Sequence, residues 1–224
     1  GRRRDALRET AGHHADRSAL VVPTDVADPP SVSAMFAAVS ARWGRVDLLV
    51  NNAGTFGPAG EVDEIAVDEW VATVAVNLTG VFLCLKHEVA QMLTQGSGGA
   101  IVNTASIAGL IGLATSGHYV AAKHGVVGLT KSAAIEYAQD GIRVNCVNPG
   151  YVRTPLVTKQ IADQAKMHGH GEDDVVTQIL LKESSIKRLV EPSEVASLVG
   201  WLASSQSGMV TGSAYTMDGG WSAR

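Results

Sequence analysis

Few features of this sequence point to a secreted, membrane-bound or nucleic-acid-binding protein. Its only cysteines, Cys84 and Cys146, each lie in an apolar run, which favours reduced, buried thiols over a disulfide. No uninterrupted apolar run reaches the roughly 18 residues of a transmembrane helix, and the start GRRRDALRET lacks the apolar core of a signal peptide. A net charge of -4 with mixed signs offers no basic patch. We therefore expect a cytoplasmic protein that acts on small molecules and has no nucleic-acid or membrane partner.

The chain does contain a regular alternation of short β-branched runs and longer helical patterns. The predicted strands are 18–24, 46–51, 100–106, 142–148 and a last one within 213–220. The predicted helices are 30–43, 67–95 with an interruption near 77–80, 118–140 and 193–204, preceded by a helical pattern that opens the chain. This order is typical of βα units around a parallel sheet buried on both faces. It predicts one α/β domain over residues 1–224.

Residues 151–192 differ from the rest, because they are polar and include the glycine-interrupted run HGHGEDD. A long segment after the carboxyl end of a strand is where an α/β enzyme places a substrate lid. Its histidines and acidic residues could suggest a metal site. A charged, solvated loop explains them more simply, and we predict no metal.

Tyr119 and Lys123 are the first candidates for chemistry. They lie four residues apart at the start of a predicted helix and therefore share one face. Lowering the pKa of a phenol from about 10 by about three units needs roughly 4 kcal/mol, and a unit charge about 4 Å away is nearly enough, with an oxidised nicotinamide ring as a second positive charge. Such a pair by itself is more often a half-buried aromatic with a solvated lysine.

The context of this pair resembles the short-chain dehydrogenase/reductase family, in which a serine precedes a YxxxK pair by about a dozen residues. Here Ser106 precedes Tyr119 by 13 residues. The resemblance implies a Rossmann-like doubly wound parallel sheet and hydride transfer between a nicotinamide and a secondary alcohol or ketone. It also implies roles: Ser106 orients the substrate, Tyr119 is the general acid/base, and Lys123 lowers its pKa and holds the nicotinamide ribose. Asn77 in VNLTG would support a proton relay to Lys123.

Further motifs of the family occur in order along the chain: PTDV (23–26), NNAG (51–54) and NPGYVRTP (148–155). The resemblance implies that they contact the cofactor, with Tyr119 and Lys123, through Asp25, Val26, Asn51, Ala53, Gly54, Pro149, Gly150, Val152 and Thr154. Taken by itself, Asp25 is most simply a turn residue.

The first residues, GRR, bear on the choice of cofactor. In the family this stretch follows the second strand, beside the adenosine ribose. Arg2 or Arg3 could hold a 2′-phosphate there, and Gly1 replaces the acid of NAD-preferring relatives, so NADP is favoured over NAD. The family's first strand, glycine-rich TGxxxGxG turn and second strand have no counterpart in these residues. We therefore expect a gap in the sheet between 18–24 and 46–51, and poor cofactor binding by a molecule of these 224 residues alone.

The C-terminal part is similar to the bacterial 3-hydroxybutyrate dehydrogenases of the family, including Gln160 in the lid. Those relatives grip a carboxylate with a glutamine, a histidine and a lysine, where this chain has Phe56, Ala108 and Ser116. Burying a carboxylate without partners is costly, so a small neutral substrate is favoured, with Ser106, Ala108, Tyr119 and Gln160 around it. A 3-hydroxybutyrate-type hydroxyacid dehydrogenase and a non-catalytic dinucleotide-binding protein remain alternatives.

Members of the family usually form homotetramers through the two long helices, here 67–95 and 118–140, and through the last strand. Their apolar residues fit this expectation but could equally belong to the core; they include Val81, Phe82, Val126, Val127 and Leu129.

Overall fold

Four parallel strands form the central sheet. The computed structural model describes residues 1–13, 18–155, 171–223 and, between them, 157, 158, 161, 162, 165 and 169. The strands are β1 Leu48–Asn51, β2 Gly99–Thr104, β3 Ile142–Pro149 and β4 Ala214–Met217, in the order β1-β2-β3-β4. Each pairs with its neighbour in parallel, which requires the helical crossovers that the alternating pattern predicts. The predicted Rossmann-like α/β fold is confirmed.

The helices follow the predicted pattern closely. In chain order they are α1 Arg4–Gly12, α2 Pro29–Trp43, α3 Val67–Val74, α4 Gly80–Gln95, α5 Gly117–Glu136, α6 Glu172–Asp174 and α7 Pro192–Ala203. Short 3-10 turns cover Ile107–Gly109, Ala138–Asp140, Ser205–Ser207 and Trp221–Ala223, and π-helical turns cover Ala75–Thr79 and Val175–Leu180. The predicted interruption of the long helix is therefore the π-helical turn between α3 and α4. Asn77 lies in it, and its amide donates to the carbonyl of Thr73 at 2.9 Å.

Both faces of the sheet are covered, as a doubly wound fold requires. On one face Ile101 and Val144 pack with Leu85 of α4 and Ala133 of α5. On the other face, Val102 and Val147 pack against Leu202 of α7. Adjacent strand residues thus point to opposite buried layers, which explains why the strands read as continuous apolar runs.

The prediction of a strand at 18–24 is wrong. These residues form no strand, and Thr24 N donates a 2.8 Å hydrogen bond to the carbonyl of Gly1. A strand needs a neighbouring strand for its hydrogen bonds, and none of the described strands lies beside this one. The expected gap shows at β1, the outer strand of the described sheet, where Leu48 and Val50 are 42% and 39% exposed.

The two ends of segment 151–192, for which the sequence predicts a substrate lid, lie side by side. Tyr151 and Arg153 exchange main-chain hydrogen bonds of 2.9 Å with Val190, which brings the two ends of the segment together. Its described residues form a small apolar cluster of their own, comprising Ile161, Val175, Leu180, Leu181 and Leu189. Among the described residues no group of three or more metal-binding side chains occurs, and His168 and His170 lie outside them, as does Gln160.

Three of the residues considered for subunit contacts belong to the core of the protomer. Val81, Val126 and Val127 are buried together with Ala105 and Cys146. Leu129 packs against the same cluster, whereas the side chain of Phe82 is 46% exposed.

The helical run Val67–Gln95 is long and apolar enough to cross a membrane, judged by length and composition alone. The core helix of a soluble protein meets the same criterion, so this is weak evidence for a membrane span. Within this run, Leu85, Val89 and Met92 pack against the sheet.

Candidate active site

The predicted site residues gather at the carboxyl edge of the sheet. Ser106 follows β2 and caps the 3-10 turn 107–109. Its Oγ accepts a hydrogen bond from Ala108 N at 3.2 Å. Tyr119 and Lys123 lie in the first turns of α5, which crosses the same edge. Ligands of open parallel sheets bind at this edge, because the strand-to-helix loops converge there.

Ser106, Tyr119 and Lys123 are brought together. Tyr119 shares a hydrogen bond with Ser106, and Lys123 Nζ lies 5.5 Å from the centre of the Tyr119 ring. The lysine is 4% exposed, and burial lowers its pKa to about 8. Its ammonium group donates to the carbonyl oxygen of Thr104 at 2.8 Å. The arrangement predicted from the spacing of these three residues is therefore present.

The expected effect on the phenol is wrong for the protein alone. Burial raises the pKa of Tyr119 above its ordinary value, and the hydrogen bond with Ser106 opposes this only in part. The reason is that Lys123 is itself buried and directs its ammonium group at a main-chain carbonyl rather than at the phenol oxygen. The sequence argument counted the charge of the lysine but not the desolvation of both groups.

Asn77 organises the loop that follows β1. Its side-chain oxygen accepts from Thr55 N at 3.1 Å, and its amide nitrogen donates to Thr55 O at 2.7 Å. A Cβ on Gly54 would lie 3.0 Å from the Asn77 side-chain oxygen and 3.9 Å from Lys123 Nζ. Gly54 thus lies between Asn77 and Lys123, and a larger residue there would press on the Asn77 side chain.

A cavity of about 510 Å³ lies beside this loop. Five of the predicted cofactor residues line it: Arg2, Asp25, Val26, Ala53 and Gly54. Arg2 and Asp25 form an ion pair of 3.4 Å across its rim. Asp25 also accepts a hydrogen bond from Ala27 N at 3.0 Å, so it stabilises a turn as well as lining the cavity. Sequence reasoning missed Thr55, Pro58, Glu69 and Thr73 in this lining, since no motif marks them.

The other predicted cofactor residues are not part of that cavity's lining. Arg3 is exposed on the surface. Asn51 is buried and donates to the side chain of Asn103 at 2.9 Å, which joins β1 to β2. Pro149 is buried at the end of β3, Val152 bridges to Val190, and the hydroxyl of Thr154 accepts from Val157 N at 3.5 Å. Gly150 lines the neighbouring cavity.

This second cavity, of about 320 Å³, lies against Tyr119 and Ser106. Its described lining is apolar and aromatic, without a charged side chain, and comprises Phe56, Gly57, Ser106, Ile107, Leu113, Tyr119, Gly150, Tyr151, Val157 and Trp221. The Phe56 and Tyr119 ring centres lie 4.8 Å apart, and Tyr151 stacks on Trp221 at 6.2 Å. Ala108 is not among these residues: it is fully buried behind Ser106. Sequence reasoning missed Tyr151, although it lies in NPGYVRTP, and Trp221, because the fold brings them together from distant positions.

The two cavities meet at Gly57, which lines both. Their combined space is in the range of small-molecule and cofactor sites, about 300–1,000 Å³. The small residues Ala53 and Gly54 let a ligand approach the main chain, and Arg2 offers a cation at the far rim. These residues fit a nicotinamide dinucleotide, which Arg2, Ala53 and Gly54 would hold beside Tyr119.

The comparisons with known proteins agree with this geometry. Residues 2–222 match the protein family described as enoyl-(acyl carrier protein) reductase. The chain is 41% identical to the D-beta-hydroxybutyrate dehydrogenase of Rhizobium meliloti (strain 1021), over 90% of this chain and 78% of that protein. It is 42% identical to the cyclohexanol dehydrogenase of Acinetobacter sp. (strain SE19), over 89% and 73%. A crystal structure of levodione reductase superimposes with a TM-score of 0.82 at 37% identity, covering 89% of this chain and 76% of that one. The chain belongs to the short-chain dehydrogenase/reductase family, whose related members are dehydrogenases that act on CH–OH groups.

Proposed function

We propose that this oxidoreductase interconverts neutral, cyclic secondary alcohols and the corresponding ketones with NADP or NAD. The observation that carries the proposal is the apolar, aromatic cavity in front of Tyr119. A six-membered carbon ring suits such a cavity in shape and polarity. It packs favourably against the aromatic walls and requires no hydrogen bonds from them.

In the proposed mechanism, the residues of this chain manage the proton and the orientation. Ser106 Oγ hydrogen-bonds the substrate oxygen, which places that oxygen beside the Tyr119 phenol. During oxidation the Tyr119 phenolate accepts the hydroxyl proton of the alcohol, and during reduction the protonated phenol gives that proton to the carbonyl oxygen. The positive charge of an oxidised nicotinamide would favour the phenolate and offset the effect of burial on its pKa. Because burial lowers the pKa of Lys123 to about 8, its ammonium group can lose and regain a proton near neutral pH. A bound nicotinamide supplies the acceptor or donor of the hydride.

The choice of a neutral substrate is supported by what surrounds the reacting centre. Phe56 lines the cavity, and Ala108 is buried behind Ser106, so neither provides a donor for a carboxylate. A carboxylate buried without partners would cost several kcal/mol of binding free energy. The relative named cyclohexanol dehydrogenase acts, by its name, on a neutral ring. The cis-4-hydroxycyclohexanecarboxylate dehydrogenase of Sinomonas cyclohexanicum, to which the chain is 44% identical, supports the ring but not the neutral charge, because its named substrate is a carboxylate.

A hydroxyacid dehydrogenase is the second candidate, because the R. meliloti enzyme is 41% identical to this chain. The two candidates differ in a simple assay. We expect kcat/KM for cyclohexanol to exceed that for 3-hydroxybutyrate by at least about tenfold, since the described lining of the cavity offers the acid no charged partner. Higher kcat/KM for 3-hydroxybutyrate would establish the second candidate, and no turnover of any alcohol would favour a non-catalytic dinucleotide-binding protein.

Several finer features belong to the same proposal. NADP is the favoured cofactor, because Arg2 supplies a cation at the rim of the larger cavity.

Residues 151–192 act as the substrate lid, since Tyr151 and Val157 reach the smaller cavity from this segment. The protein works in the cytoplasm.

A homotetramer is also proposed. Its support is a groove between α4 and α5 whose walls include the exposed Phe82 and Leu93. Light scattering coupled to gel filtration would give four times the protomer mass.

A further inference from the structure

His118 is the most unusual buried group near the site. It directly precedes Tyr119 on α5, its side chain is 0% exposed, and neither ring nitrogen has a hydrogen-bond partner in the described part of the chain. An unpaired buried imidazole costs stability relative to an apolar side chain of similar shape. Its position therefore calls for a reason other than stability.

The imidazole packs behind the loop that separates the two cavities. A Cβ on Gly57 would lie 2.5 Å from His118 Nε2 and 2.6 Å from Thr73 Oγ1. Both side chains thus occupy the space where a side chain of residue 57 would extend. Gly57 also has a φ of +75°, so a residue without Cβ is required here for two independent reasons.

The rest of this loop is anchored on either side of Gly57. Thr55 is held by its pair of hydrogen bonds with Asn77, at 3.1 and 2.7 Å. Gly60 N donates to the carbonyl of Thr115 at 3.0 Å. Between these anchors the chain rests on His118 and Thr73, and Phe56, the neighbour of Gly57, lies against the Tyr119 ring.

We propose that His118 is a positioning residue: its ring supports Gly57 from behind, keeps Phe56 against Tyr119 and so sets the width of the substrate cavity. The imidazole acts through its volume and touches neither substrate nor cofactor. The proposal rests on the proposed function for its kinetic consequence, which is selectivity among ring-shaped alcohols. Its structural consequence, an ordered loop at residues 55–60, does not depend on any substrate.

The kinetic test compares His118→Ala with His118→Phe, using cyclohexanol and the bulkier 4-tert-butylcyclohexanol as probes. We expect His118→Ala to raise KM for cyclohexanol about tenfold and to change kcat less than about threefold, because Phe56 withdraws and the small ring loses a wall. KM for 4-tert-butylcyclohexanol should rise less. The ratio of kcat/KM for cyclohexanol to kcat/KM for the bulkier alcohol should therefore fall. His118→Phe, which restores a ring of similar volume, should keep the wild-type ratio.

A substrate-free measurement separates this proposal from the proposed function. Hydrogen exchange of a peptide spanning residues 51–60 should be faster in His118→Ala than in wild type and near wild type in His118→Phe. If exchange behaves in this way but the wild type oxidises no alcohol, the proposed function fails while the role of His118 stands. Unchanged exchange in His118→Ala, or equal effects of Ala and Phe, would overturn the proposal.

Gly57→Ala tests the same contact from the other side, and remains available if His118→Ala does not fold. The added methyl meets Nε2 at 2.5 Å, so the loop must move, and KM for cyclohexanol and loop exchange should both rise. Gly44→Ala is the matched control, because Gly44 has a similar φ of +71° but open space around its Cβ position. In the double variant Gly57→Ala/His118→Ala, the combined effect on KM should be smaller than the product of the single effects. A multiplicative result would mean that the two residues do not act through their contact.

Discussion

Lys123 Nζ donates a 2.8 Å hydrogen bond to the carbonyl oxygen of Thr104, the last residue of β2. This bond ties the start of α5 to the strand that leads into Ser106. The ammonium group is thereby fixed 5.5 Å from the Tyr119 ring rather than left to swing in solvent. One helix and one strand end thus hold three candidate catalytic groups in a single geometry.

Replacing the ammonium group should therefore reduce the rate of the chemical step. We expect Lys123→Met to lower kcat by about 10²-fold or more, because proton transfer by positioned groups contributes about 10²–10⁴-fold. Steady-state kinetics with cyclohexanol measure this. Lys131→Met is a suitable control, since it lies on the same helix with an exposed side chain. Equal kcat values for the two variants would remove Lys123 from the mechanism.

The phenol is tested by Tyr119→Phe, which deletes one oxygen and keeps the ring against Phe56. We expect kcat/KM to fall about 10²–10⁴-fold while the dissociation constant of the cofactor changes little, because the lost group handles the proton. Calorimetry with NADP and NAD gives the second quantity and also decides the preferred cofactor. Tyr215→Phe, on β4 beside Trp201, should retain full activity. Undiminished turnover in Tyr119→Phe would refute the assignment.

Much of this arrangement could be predicted from sequence, and the failures have physical causes. Runs rich in apolar, β-branched residues identified β1, β2 and β3, because a strand covered on both faces is mostly apolar. The segment 18–24 has the same pattern but no neighbouring strand, and pattern alone does not reveal a missing partner.

The direction of a side chain is the second feature that the sequence pattern did not predict. Ala108 lies two residues after Ser106, yet the 3-10 turn directs it into the core instead of the cavity. Tyr151 and Trp221 reach the site by tertiary packing between distant segments, and the contact of His118 with the loop at Gly57 is also a tertiary one that no local pattern predicts. The raised pKa of Tyr119 also results from burial in the folded protein, which the local sequence does not specify.

The C-terminal turn makes a further prediction, because it positions Trp221 in the cavity wall. The carboxylate of Asp218 accepts from Gly220 N at 2.9 Å and from Ser222 N and Oγ at 2.8 and 2.6 Å. Burial alone would raise the pKa of Asp218, but these hydrogen bonds hold it below the usual value. We expect Asp218→Ala to raise KM for cyclohexanol about tenfold with a smaller change in kcat, since Trp221 loses its support.

Two comparisons complete that test. Trp221→Ala should reproduce the KM effect of Asp218→Ala, and the double variant should be no worse than either single variant. Glu9→Ala, an exposed acid on α1, serves as the control for loss of one carboxylate. Additive losses in the double variant would show that Asp218 acts by another route.

Glu88 on α4 makes the stability of the fold depend on pH. Its side chain is 0% exposed, both carboxyl oxygens lack hydrogen-bond partners among the described residues, and burial raises its pKa to about 8. A carboxyl whose folded pKa exceeds its unfolded value binds more protons in the native state, so stability falls as pH rises. The contribution is complete below about pH 4.5 and is lost progressively as pH rises through about 8.

Glu88→Gln keeps the shape of the side chain and removes its titration. Urea unfolding at pH 5, 7 and 9 should therefore show the wild type losing a few kcal/mol relative to Glu88→Gln across this range. Glu9→Gln should follow the wild type at every pH, because its carboxyl is exposed. A constant difference between wild type and Glu88→Gln would mean that Glu88 ionises at its ordinary pKa, with water or a partner reaching it inside the fold.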